Sequence, residues 1–174
     1  MVLTTGQKDI VRAFILANWP TETDNQVVGH LNALAIPNYL VWLTRVSRPL
    51  VQASASFDWT RVDNLSVGKA RIWDGMFNST DSMEPWRGNY RTGINAVWVG
   101  TQADLAVRDA VNAACQRPVT NFEKLFVVQT TDGPSQTGNR GLFANADKLG
   151  TDSLGAFIEG NVTEQFVSDI RGGL

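Results

Sequence analysis

Asn64-Leu65-Ser66-Val67-Gly68-Lys69-Ala70-Arg71-Ile72-Trp73-Asp74-Gly75-Met76-Phe77 is the stretch that sets the fold class. Asn64 or Ser66 supplies a cap, and Leu65, Ile72, Trp73, Met76 and Phe77 recur at helical spacing on one face. The pattern predicts an amphipathic helix with a tryptophan in its buried stripe. Similar segments lie on both sides, so the chain reads as mainly α.

Upstream, Thr4 or Thr5 caps a helix to about Ala17, with Ile10, Val11, Phe14 and Ile15 on one face. Trp19-Pro20 ends it, because the residue before proline avoids the helical region. A second helix fits Thr23 to Ala35, striped by Val27, Val28, Leu31 and Leu34. Asn38 to Val46 is apolar and reads as either a short strand or a buried helical turn. Ser47-Arg48-Pro49 opens a short helix to about Ala55, and Phe57-Asp58-Trp59 reads as a connection with buried aromatics.

Downstream, Asn78 to Ser82 is a polar loop, and Pro85 fits the first turn of a helix carrying Tyr90, Ile94, Val97 and Trp98. Gly100 ends it. Thr101 caps a helix to about Gln116 whose apolar face is small: Ala103, Ala106, Ala110, Ala113 and Ala114. Asp104 and Arg108 stand at a favourable i,i+4 spacing. After Pro118, Thr120-Asn121-Phe122-Glu123 is a capping-box pattern for a short helix to about Val127.

All six tryptophans fall at or before Trp98, and the chain changes character after Val128. The expected architecture is therefore a compact body of six to seven short helices over residues 1–128, carrying an extended C-terminal arm over 129–174. Residues 130–141 form a polar spacer with a turn signal at Asp132-Gly133-Pro134. An apolar docking segment, 142–174, follows. Its anchors are Leu142, Phe143, Leu149, Leu154, Phe157, Ile158, Phe166 and Ile170. The arm reads as a small β-hairpin or an extended strand, then a final helix from Glu164 to Arg171 capped by Thr163. Spaced hydrophobes without a core of their own imply a partner surface.

Net charge is −2, with 3 basic and 6 acidic side chains after residue 124, so charge offers no case for nucleic-acid binding by the whole chain. The mildly acidic arm suits a basic docking surface or ordinary solubility equally. The lone Cys115 excludes an internal disulfide and reads as a small buried hydrophobe. The N-terminal residues lack a charged-then-apolar signal layout, and no apolar run is long enough for a membrane span. The sequons at Asn78-Ser79-Thr80 and Asn161-Val162-Thr163 therefore read as chance.

Little in the chain points to catalysis. One histidine, His30, and one cysteine leave almost no material for Cys/His metal sites or His-based nucleophilic catalysis. Asp58 with Asp63, and Asp81 with Glu84, are carboxylate pairs without motif-grade spacing, better explained as caps. Gly138-Asn139-Arg140-Gly141 lacks the spacing of a phosphate loop. Arg45 and Arg48, and Arg87 and Arg91, are candidate channel or interface residues, and Trp19 and Trp86, at helix ends, are candidate interface aromatics. No catalytic residue, metal or cofactor is expected.

Several segments, in order, resemble a family of tailed-bacteriophage virion proteins: Tyr39 to Val46, Phe57-Asp58-Trp59, Gly68 to Trp73, Arg91-Thr92-Gly93-Ile94, and Arg117-Pro118 through Glu123-Lys124-Leu125-Phe126. Phe157-Ile158-Glu159-Gly160 resembles the apolar return of the family's tail. Leu43 stands where the family usually has arginine, and Gly75 where it often has tryptophan. The resemblance implies a virion neck protein assembled in the host cytoplasm, with no catalytic residues to carry over. It implies a head–tail adaptor: a cyclic homo-oligomer, twelve-fold in similar proteins, beneath the portal, with the arm docking onto the portal. Other neck or tail proteins, and DNA passing through the ring, are further partners; a membrane is not. The runner-up is another virion binding module, such as a decoration, tail-terminator or tail-completion protein. A carboxylate-based hydrolase ranks behind both.

Overall fold

Fourteen-residue α1, Thr5–Asn18, opens a mainly helical chain. The computed structural model describes residues 2–36, 39–54, 57–77, 80–129, 146–149 and 158–173; side chains at 128, 129 and 146–149 are not described. After α1 come α2 (Asp24–Asn32), β1 (Leu40–Trp42), β2 (Val46–Ser47), α3 (Arg48–Gln52), α4 (Trp59–Asp63) and α5 (Val67–Met76). Then follow β3 (Ser82–Met83), α6 (Gly88–Val97), α7 (Gln102–Ala114), β4 (Gln116–Pro118), α8 (Asn121–Lys124), β5 (Val127–Gln129), β6 (Ala146–Leu149) and α9 (Glu164–Gly172). The strands pair as β1–β4, β2–β3 and β5–β6.

Threonine starts most of the longer helices. Thr4, Thr23, Thr101 and Thr120 each accept from the backbone N–H three residues on, and the Gln, Asp or Glu there reaches back to the threonine N–H. Each such box satisfies two otherwise orphaned donors. Ser66 caps α5 in the same sense without the return bond.

The compact units do not part at residue 128. Unit 1 comprises residues 1–39, 118–129 and 148–174; unit 2 comprises 40–117 and 130–147. Unit 1 has its own core: Val11 and Ile15 of α1, Val27 and Leu31 of α2, Phe122 and Phe126, Ile158, Val162, and Val167 and Ile170 of α9. Phe122 meets Phe126 and Phe166 edge to face at 5.5 and 5.7 Å. The last helix thus closes a core begun by the first two. Polar bonds support it: Asn32 both donates to the Val162 carbonyl (3.0 Å) and accepts from its N–H (2.8 Å). Arg171 donates to the Glu22 and Trp19 carbonyls and to Asp24.

Unit 2 is built around Trp73 of α5 and Trp98 at the end of α6, whose rings cross at 77° with centroids 5.2 Å apart. Phe57, Phe77, Met76, Ile94, Val97, Val107, Val111 and Cys115 complete this core, with Val46 and Met83 from β2 and β3. Both tryptophans are almost wholly buried, and each such ring contributes roughly 1.5–3 kcal/mol by leaving water.

Local expectations fare unevenly. The apolar run at 39–46 holds the short strand β1, Leu40–Trp42, and the first residue of β2, Val46, rather than a helical turn. Helix α6 begins at Gly88, leaving Pro85 before it rather than in its first turn. Trp59 starts a helix, α4, and is 57% exposed, whereas Phe57 beside it is buried. Ile72 and Leu34 are exposed at 44% and 54%. The buried residues of α7 are Val107, Arg108, Ala110, Val111 and Asn112, with Ala106 and Ala113 outside. Valine wins because its larger surface gains more from burial than alanine's.

Candidate interaction surface

Strands β2 and β3 bring four charged residues together. Val46 pairs with Met83 and Ser47 with Ser82, antiparallel. Carrying that register one step either way sets Arg45 opposite Glu84 and Arg48 opposite Asp81. Both rungs hold ion pairs, while Met83 between the two carboxylates is fully buried. Arg48 Nε lies 2.8 Å from Asp81, its Nη1 lies 2.9 Å from Asp74, and its guanidinium covers the Phe77 ring at 4.3 Å. Partial burial pulls the Arg48 pKa down, but the bonds to Asp74 and Asp81 outweigh it and the net shift is upward. Arg48 is therefore spent inside unit 2.

Arg45 and Arg87 share one carboxylate. Arg45 Nη2 lies 3.8 Å from Glu84 Oε1, and Arg87 Nε lies 2.6 Å from Glu84 Oε2. Their side chains remain 59% and 53% exposed. The Arg87 guanidinium sits 5.0 Å from the centre of the half-buried Trp86 ring.

Arg91 differs from its neighbour. It is 5% exposed. Its Nη1 donates to the carbonyls of Pro85 (3.1 Å) and Trp86 (2.7 Å), and its guanidinium lies 5.4 Å from the Trp42 ring. The expectation that Arg91 lines a channel is corrected: its charge is enclosed and fixes the loop before α6.

The other candidates also turn inward. Trp19, half-buried, stacks on His30 at 4.8 Å and meets Phe14 edge-on at 5.3 Å. His30 Nε2 lies 2.8 Å from Glu22. Of the arm anchors, Ile158 and Ile170 are buried in the unit 1 core and Phe166 packs against it. These three are corrected from partner contacts to internal core residues, because α1, α2 and α8 already offer them an apolar surface. Leu142, Phe143, Leu154 and Phe157 lie outside the described residues, as does the polar spacer. Leu149 belongs to β6, where only the backbone is described.

Asp58 and Asp104 act in helix caps. Asp58 accepts from the Thr60 hydroxyl and N–H, which holds its pKa below the ordinary aspartate value. Asp104 is lowered likewise by the Thr101 N–H and hydroxyl, with Arg61 and Lys69 adding to the effect. Burial pushes the Cys115 thiol up. Among the described residues, no three His, Cys, Asp or Glu side chains form a group able to hold a metal ion, and no helix is long and apolar enough to cross a membrane.

Sequence reasoning weighed Arg45 and Arg48 apart from Asp81 and Glu84, though a usable signal was there. Each pair is spaced by three residues, which is what two antiparallel strands need to match them rung for rung. No protein-family model, curated protein or solved structure matches the chain.

Proposed function

We propose that the chain is a structural protein of a tailed-bacteriophage virion, a head–tail adaptor that assembles as a ring beneath the portal. What supports this is how the chain uses the segments that resemble the virion family: they build the fold. Glu123 of the Glu-Lys-Leu-Phe segment accepts from the N–H of Gly160, in the later Phe-Ile-Glu-Gly segment, at 2.8 Å. Tyr39 to Val46 supplies β1, β2 and the ring over which Arg91 lies. Gly68 to Trp73 supplies the central core tryptophan. Even Gly75, where the family often has tryptophan, faces open space, so a large side chain fits there.

Docking onto the portal falls to surfaces other than α9, whose apolar face is already covered. Both units expose large apolar side chains, among them Ile36 at 90%, Val67 at 70% and Trp59 at 57%.

The test is sedimentation velocity of the chain alone and mixed with assembled portal from the same phage. A monomer alone and a ring-sized species with portal are expected. A chain that ignores the portal overturns the assignment.

A further inference from the structure

We infer that the solvent face of α1 docks a second copy of this chain, as an antiparallel helix pair about a two-fold axis. The inference is independent of the virion assignment.

Helix α1 is apolar on two sides. Val11 and Ile15 enter the unit 1 core, with Phe14 packed against it. At about 100° per residue, Gly6, Ile10, Ala13, Leu16 and Ala17 fall on the opposite side, and all five are exposed. Ile10 and Leu16 are 49% and 51% exposed. A helix that meets only water on that side carries charged and polar residues there instead.

Charge identifies the occupant. Asp9 and Arg12 stand along one flank of this face, three residues apart and both exposed. The groove between that flank and α9 adds Lys8 and Asp169. These four side chains sum to zero, so neither an acidic nor a basic partner is favoured. A second copy matches them. The two-fold axis of an antiparallel pair sets each flank against its own copy. Where Asp9 of one copy meets Arg12 of the other, the reciprocal pair forms as well. A parallel pair instead turns this flank toward the opposite one, Ile10 and Gln7, which is uncharged.

Packing selects the same register. With Asp9 beside Arg12, Leu16 of one copy falls over Gly6 of the other, and the two Ile10 side chains adjoin near the axis. Small Gly6 and Ala13 let the helices approach closely.

The experiment is sedimentation equilibrium of the full chain over a concentration series. One helix face about 21 Å long buries less than the roughly 800 Å² per partner of a standard interface, so a dissociation constant on the order of 0.1–1 mM is expected and dilute chain stays monomeric. Asp9→Arg and Arg12→Asp are each expected to weaken self-association about tenfold, because each sets like charges in register. Mixed in equal amounts, the two variants are expected to form a heterodimer at least as tight as the wild-type pair, since the cations of one then face the carboxylates of the other. Unchanged far-ultraviolet circular dichroism establishes that these surface variants fold; if either does not, Ile10→Gln, which removes apolar area at the axis, carries the comparison and is expected to weaken the dimer. A monomer up to millimolar concentration, association untouched by the variants, or no gain on mixing them overturns the inference. A chain that stays monomeric when concentrated yet forms rings with portal would remove this pair and leave the adaptor assignment standing; a dimer that ignores the portal does the reverse.

Discussion

Glu123 illustrates how single residues join distant parts of this chain. It is only 2% exposed. One oxygen closes the capping box on the Thr120 N–H at 3.1 Å, and the other accepts from Gly160 at 2.8 Å. Gly160 has φ of +103°, a region open chiefly to glycine. Half of this was legible: Thr120-x-x-Glu announces a capping box, but nothing local announces the partner at Gly160. Glu123→Ala leaves both N–H groups without this acceptor and is expected to cost about 2–4 kcal/mol in urea unfolding. Asp104 supports a separate expectation about pH. Its folded pKa lies below its unfolded value, so its stabilisation is complete above the unfolded value and is lost as pH falls through the folded one. Asp104→Asn is therefore expected to lower stability at neutral pH and flatten the acid side of the stability profile. Parallel acid limbs for variant and wild type would contradict that linkage.

Among the elements, α9 departs most from the sequence reading. Its start, its end and its stripe were all legible, because Thr163, the Phe166-Val167-Ile170 spacing and the terminal glycines are local signals. What covers the stripe was not, because α1 and α2 lie far away in sequence. The mistaken inference was that a helix following a glycine-rich stretch has no core of its own chain to join. Ile170→Ala is expected to cost about 2–4 kcal/mol, and α9 amides should exchange as slowly as those of α1. Fast exchange across α9 would restore the docking-arm picture. The helices also contain an unused gain. Gly29 lies inside α2 on the solvent side, and a Cβ added there would meet nothing within 4 Å. Gly29→Ala should raise stability by about 0.5–1 kcal/mol through helix propensity alone, a shift that urea unfolding resolves.

On the scale of the whole molecule, the chain makes two cores where the sequence suggested a body and an appendage. The tryptophan boundary near residue 100 is real in composition, yet it cuts across both units, since five of the six tryptophans lie in unit 2 and Trp19 lies in unit 1. Periodicity reports which residues are buried, never which buried faces meet. That is why the helices were readable and their partition was not. The chain enters unit 2 at Leu40 and its helical part leaves at Arg117, within the paired strands β1 and β4. Leu43 N–H extends that pairing to the Cys115 carbonyl at 2.8 Å. Both ends of the 40–117 stretch are thus pinned together by backbone bonds, and among the described residues every member of the unit 2 core falls between them. A core drawn from one continuous stretch with adjoining ends favours independent folding. A fragment of residues 40–117 is therefore expected to fold alone, with native-like near-ultraviolet circular dichroism from the Trp73–Trp98 pair. Cys115, at the end of α7, serves as a second reporter: buried in the folded fragment, it should resist alkylation until denaturant is added. A fragment with helical content but a freely reactive thiol and a flat near-ultraviolet spectrum would mean that this core needs the rest of the chain to set its packing.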